Sequence, residues 1–539
     1  MSGFSPAMPV RRVVVFTSGR NYNVCRNVVE LVRRNPELEL LVIEHRPPRT
    51  AGRLLRNQLR NLRRNGWRWI PYQATEVIES MRLRLWPSSE PLPGSPGAAY
   101  EFAAVTSTLR VRWRTVADVH AERTVALLHE YRPDLGISLG APVLREVVFA
   151  VPRLGTINLH KGQLPDFRGM PPAFWEFETG ATQFGCTVHR VVSALDAGDV
   201  LLEQTLRRAP HATPKGVQLE LDEIGIELVC RAVEDIGHGR ARWRAQQAGG
   251  QTFRKPTLGQ IAAQERRLNA DPRPLSERVK DCAFSLYRRL WRPIPRWLAG
   301  LAGRQRIVVL LYHRVNDDMR DSLTVGIEQF DRQLAWLARN CRLVCLEDIA
   351  ARRVDRRSLR PIVAVTFDDG YLDNSEIAGP IMLRHRVPAT FFVSTGHIES
   401  EIAFEHDLKR KGHYLPTMSW AQLARLRDWG FTVGSHTVTH LDCGRAPIAD
   451  VRRELEESRD HLVRHLGIER PMFAYPFGGP DNFTVEARAE VVRAGYSACV
   501  SAFGGFNSGP IDPYRIKRIN ISCHFSLAAF AARVEGMNR

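Results

Sequence analysis

From residue 11 to about 255, short apolar runs alternate with amphipathic stretches. RRVVVFTSG and LELLVIE are continuous apolar runs ending in small or polar residues, as buried parallel strands do, and NVCRNVVELVRR between them repeats its apolar residues at helical spacing. VADVHAERTVALLHEY continues the series as a predicted helix, and DLGISLG and GTINLH as strands. This rhythm predicts a doubly wound α/β domain. A second α/β series opens with IVVLLYHRV and includes VTFDDG and ATFFV. The resulting plan is a domain over 1–255, a linker over 256–304 and a domain over 305–539, consistent with a chain too long for one ordinary core.

Two regions break the rhythm. Near 51–98, RLLRNQLRNLRRNGWRWI carries six arginines and no acid, with Leu55, Leu59 and Leu62 at helical spacing, before the turn-rich PSSEPLPGSPG. It suits a lid with a solvated Arg face, or a surface that lies on anionic lipid or grips phosphates. Within 256–304, QERRLNADPRPLSERVK reads as a polar linker. SLYRRLWRPIPRWLAGLAG, with Trp291 and Trp297, reads as a segment that packs on a domain or sits at an interface.

A hydrophobic content of 44% with 25% charged residues excludes a disordered chain. The formal charge of +18, mostly from Arg, favours polyanions such as nucleic acid, anionic lipid or phosphorylated substrates, or simply reflects Arg-rich codon usage. Nine scattered cysteines without a CxxC pair point to a reducing compartment and away from a Cys-based zinc site. Neither a long apolar signal core nor a run of about 18 apolar residues is present, so a cytoplasmic protein is expected, with peripheral contact to the inner face of the membrane as a variant.

Candidate chemistry sits at two strand ends. In TINLHKGQLPDFRG, Asn158 and His160 alternate along a strand and so share a face, where an amide donor and an imidazole can serve attack of an amine on a carbonyl carbon. GCTVHRVVSALDAGDVLLEQ offers a carboxylate, Asp196, on a turn with Gly198. Together these motifs resemble the folate-dependent formyltransferase family. The resemblance implies a Rossmann-like formyltransferase fold over about 11–255 and N10-formyltetrahydrofolate as co-substrate. By it, Asn158 and His160 polarise the formyl group, Asp196 orients the imidazole and assists proton removal, and the loop with Leu164, Pro165, Arg168 and Gly169 lies near the folate. Lys161, Gly162 and Gln163 stand where the tRNA-directed branch has Pro-Ser-Leu, and no β-rich tRNA-gripping domain is evident. Nucleic acid is therefore disfavoured and the amino-sugar branch leads.

In VTFDDG a strand ends in two carboxylates, Asp368 and Asp369, which repel unless a cation or proton resolves them. VGSHTVTH supplies His436 and His440, and one Asp with two His is a ligand set for a hydrolytic metal, leaving the other Asp as base. This constellation resembles the polysaccharide deacetylase family and its NodB-like deformed (β/α) barrel, over about 305–539. The resemblance makes Asp368 the general base, gives Asp369, His436 and His440 to a divalent metal, commonly zinc, and assigns FAYPFGG to the substrate groove. Ala474 stands where many members carry Arg, and RINISCHF lacks the late Leu-x-His motif. His313 and His524 are then candidates to protonate the leaving amine, and Arg518 a candidate groove residue.

Both chemistries act on an amine or amide nitrogen. The leading expectation is a bifunctional enzyme that deacetylates and then formylates an amino sugar on a nucleotide or polyprenyl carrier. The alternatives are formylation followed by deformylation of a polyprenyl-linked sugar, or a formyltransferase with a non-catalytic sugar-binding or docking module.

Overall fold

The computed structural model describes residues 10–48, 50–85, 96–109, 111–247, 249–268, 300–411 and 414–536. Most of PSSEPLPGSPG, and the linker stretch with Cys282, Trp291 and Trp297, lie outside the described residues. Two compact units divide the chain: Met1–Leu85 with Ala99–Asp271, and Trp86–Ala98 with Pro272–Arg539.

The first unit contains β1 (Arg12–Thr17), β2 (Glu39–His45), β3 (Arg112–Val116), β4 (Leu135–Ser138), β5 (Thr156–His160), β6 (Phe167–Gly169), β7 (Gln183–Arg190), β8 (Val200–Arg207) and β9 (Gln251–Phe253). Among the described residues these give a seven-stranded sheet, β3-β2-β1-β4-β5-β7-β8, and a small β6-β9 pair. Strands from β3 to β5 run parallel, and β7 and β8 are antiparallel. Val13 to Phe16 are wholly buried, as expected of a central strand covered on both faces. Helix α1 (Tyr22–Arg34) starts where the Asn21 side chain accepts the Val24 N–H, and it packs with helix Pro214–Gly237. The helix expected from Val116 begins only at Glu122. Asp118 accepts the His120 N–H on its side chain and the Thr124 hydroxyl on its carbonyl, turning the chain there instead. Between β2 and β3 lie α2 (Ala51–Asn65), a single turn Gly66–Arg68 and α3 (Trp69–Leu85).

The second unit is a barrel. Its strands are β10 (Ile307–Tyr312), β11 (Arg314–Val315), β12 (Thr324–Val325), β13 (Arg342–Leu343), β14 (Ile362–Phe367), β15 (Ala389–Val393), β16 (Thr432–Ser435), β17 (Phe473–Ala474), β18 (Cys499–Gly504) and β19 (Ile516–Asn520). Eight of them follow the order β10-β19-β18-β17-β16-β15-β14-β13, all parallel, β10 also pairs with β14, which closes the ring, and β11 and β12 form a separate parallel pair. Ile307, Val309, Ile362, Phe392, Met472 and Val500 belong to a buried cluster. The interior is therefore packed, and chemistry is left to the loops at the carboxyl ends of the strands.

Candidate active sites

In the first unit the chemistry gathers where β5 ends. Asn158 faces His189 directly across the antiparallel β5–β7 pair, so His189, which the motif reading passed over, joins the same face. Asn158 Nδ2 lies 3.1 Å from His189 Nε2 and 3.5 Å from Asp196 Oδ1. Asp196 Oδ2 stands 3.6 Å from His160 Nδ1 and accepts the Gly169 N–H at 3.1 Å, while Oδ1 is 3.6 Å from His189 Nε2. One carboxylate thus serves two imidazoles and an amide. Its turn is fixed by Gln246, whose Nε2 donates to the carbonyls of Asp196 at 2.9 Å and Gly198 at 2.7 Å.

The imidazole of His160 is buried. Its Nε2 is 2.6 Å from the Phe167 carbonyl oxygen, which can only accept, so Nε2 carries the hydrogen and Nδ1 turns to Asp196. Burial lowers the His160 pKa below 6.5 against the opposing pull of Asp196 and the Phe167 carbonyl. Asp196 is pushed up by burial but brought below the usual carboxylate value by His189, His160 and the Gly169 N–H. Gly162 is needed for close approach: a Cβ there would stand 2.6 Å from His160 Nε2 and 2.7 Å from the Phe167 oxygen. Of the predicted folate-loop residues, Leu164 is buried, Pro165 follows a cis peptide, Arg168 Nη2 donates to Gln246 at 3.0 Å, and Gly169 reaches Asp196. The set can polarise a carbonyl through Asn158 and accept a proton at a neutral imidazole.

In the barrel, Asp368 and Asp369 follow β14, His436 and His440 follow β16, and His313 follows β10. One ligand atom from each of Asp369, His436 and His440 falls within 4.8 Å of the others. Asp369 Oδ1 is 3.5 Å from His436 Nε2 and 3.4 Å from His440 Nε2. Both Asp369 oxygens are buried without a hydrogen-bond partner, a costly arrangement in a metal-free site and the one a cation would relieve. His436 Nδ1 donates to the Ala474 carbonyl at 2.7 Å, which leaves Nε2 unprotonated toward the centre. Glu454 fixes the loop to His440, accepting the N–H groups of Val438 and Thr439 at 2.7 and 2.9 Å. Burial would raise the Asp369 carboxyl, but His436 and His440 outweigh it and hold it well below the usual range. The residues fit a divalent cation.

Arg518, expected in the groove, is instead buried in β19. Its Nη1 and Nη2 donate to Asp368 Oδ1 and Oδ2 at 2.7 and 2.6 Å. It thereby places a guanidinium on Asp368 from a different strand than the FAYPFGG motif, where Ala474 stands. Burial pushes Asp368 up, but Arg518 and His436 bring it below its ordinary value. His313 is half-buried, and desolvation pushes it down to about 4 against the pull of Asp369 and Asp368. His524 is exposed. His406, unremarked in the sequence, stands with Nε2 2.9 Å from the Tyr371 hydroxyl and 3.7 Å from Asp369 Oδ2. Phe477 of FAYPFGG sets its ring edge-on to His440, centroids 4.8 Å apart.

Residues 90–233 match the family model for formyl transferase, and residues 355–499 match that for polysaccharide deacetylase. Two separate stretches of the chain thus match the models of two enzyme families. The formyl transferase segment contains Asn158, His160 and Asp196, and the polysaccharide deacetylase segment contains Asp368, Asp369, His436 and His440. Among similar proteins, a Bacillus subtilis protein named as a polysaccharide deacetylase, YxkH, is 26% identical over 234 residues, covering 43% of this chain and 77% of its own. A methionyl-tRNA formyltransferase of Thermotoga neapolitana is 30% identical over 129 residues, covering 24% of this chain and 41% of its own, so less than half of that relative is spanned. The structure of the Streptococcus pyogenes deacetylase PplD in complex with acetate aligns at 23% identity over 43% of this chain and 99% of that one, with a TM-score of 0.36. Formyl transferases draw on a formyl-tetrahydrofolate-type co-substrate, and deacetylases of this type are typically metal-dependent.

Proposed function

We propose that the protein exchanges the acyl group on an amino sugar, removing an N-acetyl group at the barrel and formylating the freed amine from N10-formyltetrahydrofolate at the first unit. The observation that carries this reading is that each half assembles a full set of groups for one of two opposite reactions at nitrogen: Asn158, His160 and Asp196 in one, and Asp368, Asp369, His436 and His440 in the other.

At the barrel, a divalent cation such as zinc held by Asp369, His436 and His440 would supply Lewis-acid polarisation of the amide carbonyl. Asp368, ionised and aligned by Arg518, accepts the proton of the attacking water. His313, neutral at pH 7 and within electrostatic reach of Asp368 and Asp369, is the candidate to relay the proton taken up by Asp368 to the leaving amine. At the other site Asn158 donates to the formyl oxygen as negative charge develops, and His160 takes the proton of the attacking amine while Asp196 stabilises the imidazolium. Because Nε2 carries its hydrogen toward the Phe167 carbonyl, accepting the amine's proton there requires that hydrogen to sit instead on Nδ1, facing Asp196, and the carbonyl to withdraw, which a shift of the Leu164 to Gly169 loop on substrate binding would allow. A carrier-linked sugar, on a nucleotide or polyprenyl phosphate, gives the positive chain a phosphate to hold, and a folate co-substrate suits a cytoplasmic site of action.

The test is mass spectrometry on metal-loaded protein given free-amine and N-acetyl sugars on both carriers, and an aminoacyl-tRNA, each with and without N10-formyltetrahydrofolate. Acetyl should be lost without folate, and formyl gained when it is added. Asp369→Ala should block formylation of the N-acetyl sugar and leave formylation of its free amine intact. Normal formylation of the N-acetyl sugar by Asp369→Ala would rule out deacetylation as the first step, and formylation of the tRNA alone would sink the sugar reading.

A further inference from the structure

None of the fifteen residues of α2 is buried. At about 100° per residue, Leu55, Leu59 and Leu62 fall within an arc of roughly 60°, and Arg53, Arg56, Arg60, Arg63 and Arg64 occupy the neighbouring arc of roughly 100°. Leu55 is 61% exposed, Leu59 46%, and Ile70 on α3 63%. α3 folds back on α2 through Gly66, whose φ of 62° lies in the left-handed region, and Trp69 Nε1 donates to Gln58 at 2.6 Å across the turn. Between the helices lies a cleft of about 480 Å³ lined by Leu59, Leu62, Trp69, Ile70, Ala74 and Val77. Trp67 stands at the turn, 73% exposed. The turn end of the hairpin is tied to its own unit, where the Asn65 side chain accepts the Leu258 N–H at 2.9 Å.

We infer that this helical hairpin docks on an anionic lipid bilayer, with α2 lying in the interfacial plane. The two faces of α2 decide between occupants. A polynucleotide would satisfy the five arginines but leave the leucines in water, and an apolar protein groove would do the reverse. An anionic membrane presents headgroup phosphates beside acyl chains and satisfies both faces. A Trp at the turn fits the same boundary, since indole places an apolar ring and a polar N–H at the headgroup level. No described helix is long and apolar enough to cross a membrane, so the contact is peripheral. The inference stands whichever acyl chemistry the two sites perform.

The test is co-sedimentation of the full chain with phosphatidylcholine vesicles, with and without phosphatidylglycerol. Binding is expected only with phosphatidylglycerol, weakening as salt rises. Leu55→Glu/Leu59→Glu should abolish it while leaving the circular dichroism spectrum and thermal midpoint unchanged, because both residues are exposed. Gln at Arg56, Arg60 and Arg63 should weaken it by roughly fivefold per arginine. Equal binding to neutral vesicles, no binding at low salt, or full binding by the Leu variant would overturn the inference. So would a fall in oligomeric state of the Leu variant without any vesicle binding by the parent, which would make this face a contact between copies of the chain.

Discussion

Asp196, Asp369 and His440 all have positive φ, at 49°, 74° and 61°. Such backbone costs roughly 1–3 kcal/mol for a non-glycine residue and persists where surroundings enforce it, as at functional sites. The same concentration of constraint governs titration. Because burial holds His160 below 6.5, it is neutral at pH 7, and the base it provides is lost only as pH falls through that lowered value. Formylation should therefore be flat above neutrality and decline on the acid side with a midpoint below 6.5. An acid limb centred above 6.5 in the pH–rate profile would contradict this. In the barrel, Arg518→Met strands the Asp368 carboxylate in the interior and should destabilise the fold by about 3–5 kcal/mol in urea unfolding. The double variant Arg518→Met/Asp368→Asn should regain most of that stability without regaining hydrolysis. If Arg518→Met alone left stability untouched, the pair would not be buried as described.

At the scale of elements, the loop between β16 and helix Ile448–Leu466 shows how a ligand is aimed from behind: Glu454 on that helix accepts two successive N–H groups just before His440. Glu454→Gln keeps the shape but replaces one acceptor oxygen with a donor. It should weaken zinc binding by roughly 10- to 100-fold, measured by calorimetry on the apo-protein. Unchanged affinity would make that contact irrelevant to the centre. Elements of this kind differ in how visible they are beforehand. β5 and β14 were legible because a short strand-forming run that ends in polar side chains, alternating in TINLH and continuous in VTFDDG, has few other readings. The lysine-and-arginine strand Ile516–Asn520 was not, since the partner that buries Arg518 lies 150 residues away and no local pattern marks it. His189 became meaningful only with the β5–β7 register, and His406 only when a short helix brought it beside Asp369. The start of helix Glu122–Tyr131 was misread because an Asp-centred turn competes with a helix for the same backbone groups.

Across the whole molecule, two self-contained sheets each keep their chemistry at strand ends, which is why two motifs read separately could each be placed on a complete site. The barrel adds a constraint in time. Its ring is sealed by β19 sliding in beside β10, with Leu310 against Ile519, so the earliest strand of the unit waits for the last one. During synthesis Asp369, His436 and His440 emerge well before Arg518, and until that residue leaves the ribosome Asp368 has no guanidinium to pair with. A nascent chain halted before β19 would thus carry Asp369, His436 and His440 but lack the ion pair that holds Asp368 in place.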